Sequence, residues 1–133
     1  MSNIKKINII FFSLLLFVSH LTSAASARAG KKADTLLIYK KHLESLSKQK
    51  TVTLEDLKKM EHDLDGECDK NQAFCDFLSL IQSVYEPLGD KEEDFTSRCE
   101  NAQVSLESSF VNSFIKEKKE LKKIVENICN SGP

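Results

Sequence analysis

The sequence lacks the motifs of a catalytic site. It has no glycine-rich loop and no Gly-x-Ser-x-Gly motif, and beyond residue 27 its only histidines are His42 and His62. These histidines fall on different predicted helices, so no nucleophile and base can be assigned to one site. Cysteine–histidine catalysis would need a free thiol, which is not expected in an oxidising compartment. We therefore predict that the protein is not an enzyme and uses no cofactor.

Several other features are missing after the first apolar segment. No second long hydrophobic run follows it, no two cysteines form a Cys-x-x-Cys pair, and there is no Asn-x-Ser/Thr site. Membrane contact, a zinc site and N-glycosylation are therefore not expected. No alternating strand pattern appears, and β-branched residues are few. These absences predict an all-α protein.

What is present begins with a targeting segment. Lys5 and Lys6 precede an apolar run of 12 residues, 7–18, and small residues follow at the spacing that signal peptidase prefers. The run is shorter than the roughly 20 residues that a membrane span needs. We predict a secretory signal peptide over residues 1–27, cleaved after Ala24 or Ala27, and a secreted mature protein.

The mature chain has the size of one domain, 28–133, in which residues 28–34 are expected to be frayed. It carries 17 basic and 20 acidic residues, a net charge of −3. Residues 51–107 alone carry 5 basic and 15 acidic residues, whereas the segments on either side are net basic. An acidic middle argues against a nucleic-acid surface, so we expect no nucleic-acid partner.

Apolar periodicity predicts three helices in the first two thirds of the mature chain. They are expected over about 33–49, over a second segment that begins after Thr53 as N-cap and ends at Gly66, and over 71–85, where Pro87 and Gly89 stop the third. From Phe95 to Ile128 the apolar residues keep one helical phase, without Pro or Gly. One helix over 92–129 would be about 57 Å long, too long for a compact domain. We expect it to break at 116–120, with 107–109 as the alternative.

Together these patterns predict a small disulfide-stabilised bundle of four to five helices. The four cysteines, Cys68, Cys75, Cys99 and Cys129, allow three pairings. The midpoint of Cys75 and Cys99 is Pro87, a natural turn, which favours Cys75–Cys99 nested inside Cys68–Cys129. The alternative, Cys68–Cys75 with Cys99–Cys129, needs a reversal at Phe114, where the sequence has no helix breaker. The crossed pairing places its midpoints inside helices.

An acidic stretch over 61–72, "EHDLDGECDKNQ", partly matches an EF-hand loop. Glu61, Asp63 and Asp65 would be its first three ligands, and Gly66 occupies the required position 6. Gln72 replaces the bidentate carboxylate at position 12, so these three residues are only weak candidates for calcium ligands, and we expect no metal. The simpler interpretation is a helix–helix connection that carries a disulfide.

Two further groups of residues suggest binding functions. The lysine-rich run 116–123, "KEKKELKK", is typical of a solvated helix face, although a partner or membrane-surface helix has the same composition. The aromatic residues on the predicted apolar faces either fill the core or line a cavity for an apolar ligand. The candidates for such a lining are Phe74, Phe77, Phe95, Phe110 and Phe114.

The sequence therefore favours a secreted, non-enzymatic protein that acts by binding another, as yet unidentified, extracellular protein, as a factor, toxin or effector does. The alternative is an extracellular carrier of a small apolar ligand in a helical cavity.

Overall fold

A computed structural model describes residues 35–108 and 113–133. The chain divides into two compact units, 1–37 and 38–133. Only residues 35–37 of the first unit are described, so the predicted signal peptide and frayed segment lie outside the described residues.

The described residues form helices and no strand, which confirms the all-α class and the small disulfide-stabilised bundle. Helix α1 covers 35–47, and four helices follow it: α2 (Leu54–Cys68), α3 (Gln72–Gly89), α4 (Phe95–Glu107) and α5 (Ile115–Ser131). Consecutive helices α2, α3, α4 and α5 pack against one another, and α3 also touches α5. None of the described helices is long and apolar enough to cross a membrane.

Polar side chains start three of these helices. The Asp56 carboxylate accepts hydrogen bonds from the backbone N–H and the hydroxyl of Thr53, at 2.8 and 2.9 Å, which confirms Thr53 as the N-cap of α2. Asn71 accepts from the Ala73 N–H at the start of α3, and Asp94 accepts from the Ser97 N–H at the start of α4. Each cap satisfies a donor that the first helical turn leaves unpaired.

Two helices extend beyond their predicted ends. Gly66 lies inside α2, which continues to Cys68, and Pro87 lies inside α3, which continues to Gly89. A proline removes one hydrogen bond from a helix, but the buried side chains of Val84 and Leu88 on either side hold this turn against the core. The predicted ends were therefore two residues early for α2 and four residues early for α3.

The apolar series after Phe95 forms two helices, and the preferred break point was wrong. Residues 116–120 lie within α5, and the chain reverses between Glu107 and Ile115, next to the alternative break at 107–109. Ser108 ends α4, where its hydroxyl donates to the Val104 carbonyl at 2.8 Å. Phe114 precedes α5 and is buried against Phe77, with the ring centres 5.3 Å apart. Phe114 is therefore anchored in the core immediately before α5 begins, and the sequence between the two helices contains no glycine or proline.

The predicted disulfide pairing was also wrong. The structure joins Cys68 to Cys75 across the short α2–α3 connection and Cys99 to Cys129 between α4 and α5. The Cys75–Cys99 and Cys68–Cys129 pairing assumed a turn at Pro87, which is helical, and no turn at Phe114, where the chain does reverse. The assumption that paired cysteines lie symmetrically about a turn holds for Cys99 and Cys129, whose midpoint is Phe114. The error lay in placing the turn at Pro87.

The core is formed by the predicted apolar faces. The largest fully buried side chains come from α1, α2, α3 and α5: Leu43, Leu57, Leu64, Phe77, Leu80, Ile81, Val84, Leu121, Ile124 and Val125. Helix α4 adds smaller buried residues, Cys99, Ala102 and Leu106. Burial of this apolar surface, at about 25 cal/mol per Å², is the main term that stabilises the bundle.

Candidate functional site

The candidate calcium ligands do not form a loop. Glu61, Asp63 and Asp65 all lie within α2, where residues two positions apart point in directions about 160° apart. Glu61 accepts a hydrogen bond from the Gln82 side chain of α3 at 3.0 Å, while Asp63 and Asp65 are exposed. The EF-hand interpretation is therefore wrong. In the described part of the chain, no group of three or more His, Cys, Asp or Glu side chains is arranged to hold a metal ion.

The acids of α2 instead form a surface that reaches α1. Burial raises the pKa of the Tyr39 hydroxyl on α1, and the negative charges of Asp63 and Glu67 raise it further. The Tyr39 ring in turn meets Phe74 edge-on, with ring centres 6.2 Å apart. These acids are thus close enough to α1 to act on the Tyr39 hydroxyl.

The predicted aromatic lining is dispersed in the structure. Phe74, Phe77 and Phe114 are each at most 5% exposed and belong to the packed core. Phe95 lines a pocket at one end of the bundle, and Phe110 lies outside the described residues. The described residues of the predicted aromatic set therefore do not enclose a common cavity.

The lysine-rich run on α5 differs most from its expected environment. Its sequence intersperses two glutamates among five lysines, but these glutamates, Glu117 and Glu120, are buried, each 7% exposed. Glu117 lies 3.5 Å from the Lys40 ammonium of α1, and that ammonium also lies 4.9 Å from the centre of the Phe114 ring. Both acids of this run, which also has five lysines, are thus turned towards the protein.

A second set of charges joins the same two helices. Glu44 of α1 accepts from Lys48 at 2.7 Å and from Lys116 of α5 at 3.0 Å. These two bonds lower the pKa of Glu44 to about 2, and the bond to Glu44 raises the pKa of Lys116. Burial raises the pKa of Glu120, opposed by Lys116 at 3.8 Å. We refer to Lys40, Glu44, Lys116, Glu117 and Glu120 as the α1–α5 charge cluster.

The inward position of the glutamates leaves lysines on the outside of α5. Lys119, Lys122 and Lys123 are exposed, and none of them forms an ion pair with another described residue. At 100° per residue these three side chains project within an arc of about 100°, on the side away from Leu121 and Ile124. We call these three residues the α5 lysine face. Glu126 is exposed on the same side of the helix.

Two residues that were not among the predicted site residues make contacts of interest in the structure. The Asn127 side chain accepts from the Val52 N–H at 3.1 Å and donates to the Gln49 and Lys50 carbonyls at 3.3 and 3.0 Å. Arg98 lines the pocket beside Phe95. A polar Asn between the apolar Ile124, Val125 and Ile128 was a visible signal for Asn127. Arg98 is the single arginine of the acidic segment 51–107, and nothing in its sequence context indicated a pocket.

Comparisons with known proteins give no relative for this chain: no family model, no curated protein and no solved structure matches it.

Proposed function

We propose that this protein is secreted and, without catalysis, binds another extracellular protein through the α5 lysine face, and that the partner presents an acidic surface. The observation that carries the proposal is the inward position of Glu117 and Glu120 in the structure. It leaves three of the five lysines of this run, Lys119, Lys122 and Lys123, exposed and without an ion pair to another described residue.

The same arrangement lowers the free-energy cost of association. Lys119, Lys122 and Lys123 are already exposed and unpaired, so a partner does not have to break internal ion pairs to reach them. Complementary charge mainly accelerates association and selects partners, and exposed charges at the edge of an interface do the same. We therefore expect binding that weakens with added salt.

The basic segments of the chain support the same surface. The N-terminal basic segment includes α1, and the structure places α1 beside α5 through Lys40–Glu117 and Glu44–Lys116. The acidic residues of 51–107 lie on α2, α3 and α4 and in the connections between them. The fold thus groups cationic helices together, which a uniform solvated surface would not require.

Secretion is supported by the predicted signal segment and by the two disulfides, which persist mainly in oxidising compartments. Expression of the whole chain in a secretory host tests it. Protein in the medium should begin at Ala25 or Arg28 by N-terminal sequencing. Retention in the cell with an intact N-terminus would contradict secretion.

Partner binding is tested with an array of purified extracellular domains, probed at physiological salt with the wild-type protein. The variant K119E/K122E/K123E should lose at least tenfold in affinity for the domains that bind. The matched control, K58E/K59E, reverses two exposed lysines of α2 and should bind like the wild type. Equal binding by the triple variant, or selective binding to anionic vesicles or polysaccharide in place of protein, would contradict the proposal.

A small-ligand carrier is the second candidate. The packed positions of Phe74, Phe77 and Phe114 do not favour it, but one specific observation does, namely a pocket lined by Phe95 and Arg98 at the end of the bundle.

A further inference from the structure

A pocket of about 330 Å³ opens at the end of the bundle where α3 ends and α4 begins. The connection between α1 and α2 and the C-terminal end of α5 complete its walls. Its apolar lining includes Leu54, Leu88, Phe95 and Ile128. Small-molecule sites usually have volumes of roughly 300–1,000 Å³ and apolar walls with a few polar groups. This pocket is at the lower end of that range and suits a small ligand.

The charged side chain in the lining of this pocket is that of Arg98. Its Nη1 donates to the Leu88 carbonyl at 3.2 Å, and its guanidinium carbon lies 5.3 Å from the centre of the Phe95 ring. Its Nε is buried and has no hydrogen-bond partner, and no described carboxylate forms an ion pair with Arg98. A guanidinium has five N–H donors, and a buried donor without an acceptor is unfavourable.

The nearest acidic cap does not serve as that acceptor. Asp94 is the N-cap of α4, and its carboxylate accepts hydrogen bonds from the Ser97 N–H and hydroxyl at 3.0 and 2.8 Å. These hydrogen bonds lower the pKa of Asp94, so it stays ionised and bound to its own helix. Arg98 is therefore held in place by a carbonyl and an aromatic ring. Because Nε is enclosed by the protein, the donors left for an anion are the remaining N–H groups of the two Nη atoms.

We infer that this pocket binds a small carboxylate with a short apolar chain. The carboxylate pairs with the free donors of the Arg98 guanidinium, which match the geometry of two oxygens. The chain lies against Leu54, Leu88 and Ile128, which are brought together by three different helices. The limited volume restricts the length of the chain, so short chains fit and long ones do not.

Octanoate, 1-octanol and acetate distinguish the two parts of this recognition. Titration of the purified protein at pH 7 should show saturable one-to-one binding of octanoate. The alcohol lacks the charge and acetate lacks the chain, so each should bind at least tenfold more weakly. Equal binding of octanoate and octanol, or no saturable octanoate binding up to millimolar concentration, would overturn the inference.

The variants R98Q and R98K test the guanidinium itself. R98Q should weaken octanoate binding at least tenfold while octanol binding stays the same, and R98K should recover part of the loss. K91Q, which removes an exposed cation of the same α3–α4 connection, is the matched control and should bind octanoate like the wild type. Unchanged octanoate binding by R98Q would overturn the assignment.

A measurement on the wild-type protein covers the case in which R98Q does not fold. Nuclear Overhauser contacts should join the octanoate chain to methyl groups of Leu54, Leu88 or Ile128. Contacts confined to the groove between α4 and α5, near Gln103 and Lys122, would place the ligand elsewhere and overturn the inference. The variant K119E/K122E/K123E should bind octanoate normally, which separates this site from the proposed partner surface.

Discussion

At the scale of single residues, Asn127 does most to position the connection between α1 and α2. Its amide makes three hydrogen bonds to backbone groups of residues 49–52, and the Val52 side chain beside them is 3% exposed. A connection without regular structure needs partners for its backbone groups, and here a single side chain from α5 supplies them. Asn127 therefore links the first and last helices of the bundle.

Replacing Asn127 by alanine should lower the free energy of unfolding by about 1–2 kcal/mol, because the Val52 N–H and two carbonyls lose their partner while water can reach part of the site. Urea unfolding monitored by circular dichroism measures the change. N130A removes an exposed amide from the same helix and should stay within about 0.5 kcal/mol of the wild type. Equal stability of N127A and N130A would show that Asn127 does not hold this connection.

Glu120 should make stability depend on pH. Because its folded-state pKa is raised, the ionised side chain favours the unfolded state. This penalty is absent well below the usual glutamate pKa of about 4.3, grows between that value and the raised one, and is complete above both. E120Q should therefore be more stable than the wild type at pH 7, and the difference should disappear near pH 3.

Urea midpoints of wild type and E120Q at the two pH values test this prediction. The opposite contribution of Glu44, whose pKa is lowered to about 2, is common to both proteins and largely cancels in the comparison. E126Q, an exposed site on α5, is the control and should show no such pH-dependent gain. A gain for E120Q that is as large at pH 3 as at pH 7 would contradict the burial argument.

At the scale of helices, the sequence predicted which segments are helical better than it predicted where the chain turns. Leu57, Met60 and Leu64 of α2, which are spaced three and four residues apart, are all buried. Residues 107–109 were only the alternative break point, because no glycine or proline marks the α4–α5 turn and the apolar phase continues through it. Its anchor, Phe114, is an ordinary core residue in the sequence, and only packing against Phe77 gives it this role.

The candidate site was predictable to a smaller extent. The lysine run on α5 was visible, but periodicity alone did not show that Glu117 and Glu120 lie on the buried side, because glutamates are normally expected at the surface. The buried Glu117 pairs with Lys40, which lies far away in the sequence and reaches it from α1. Arg98 could not be predicted as a pocket residue for the same reason, since its surroundings come from three other segments.

The two disulfides should contribute unequally because they close loops of different size. Cys68 and Cys75 are 7 residues apart, whereas Cys99 and Cys129 are 30 residues apart. The chain-entropy model gives stabilisation of about 2.5 kcal/mol for the shorter loop and about 3.5 kcal/mol for the longer one. C99A/C129A should therefore unfold at lower urea concentration than C68A/C75A, and the reverse order would contradict this account.

At the scale of the whole molecule, one arrangement underlies both proposed sites. Helix α5 runs back along α4, and Cys99 and Cys129 join them with Cα atoms 6.0 Å apart. This antiparallel pair brings Ile128 to the pocket that Arg98 lines. It also sets the rotation of α5 that turns Glu117 and Glu120 inward and the α5 lysine face outward. The disulfide pairing is therefore the central structural claim.

A non-reducing peptide map tests that claim directly, because trypsin separates all four cysteines. Cleavage after lysine and arginine places Cys68 in peptide 60–70, Cys75 in 71–91, Cys99 in 99–116 and Cys129 in 124–133. Mass spectrometry should find 60–70 linked to 71–91, and 99–116 linked to 124–133. A linkage between 71–91 and 99–116, accompanied by one between 60–70 and 124–133, would contradict the fold described here and both sites that depend on it.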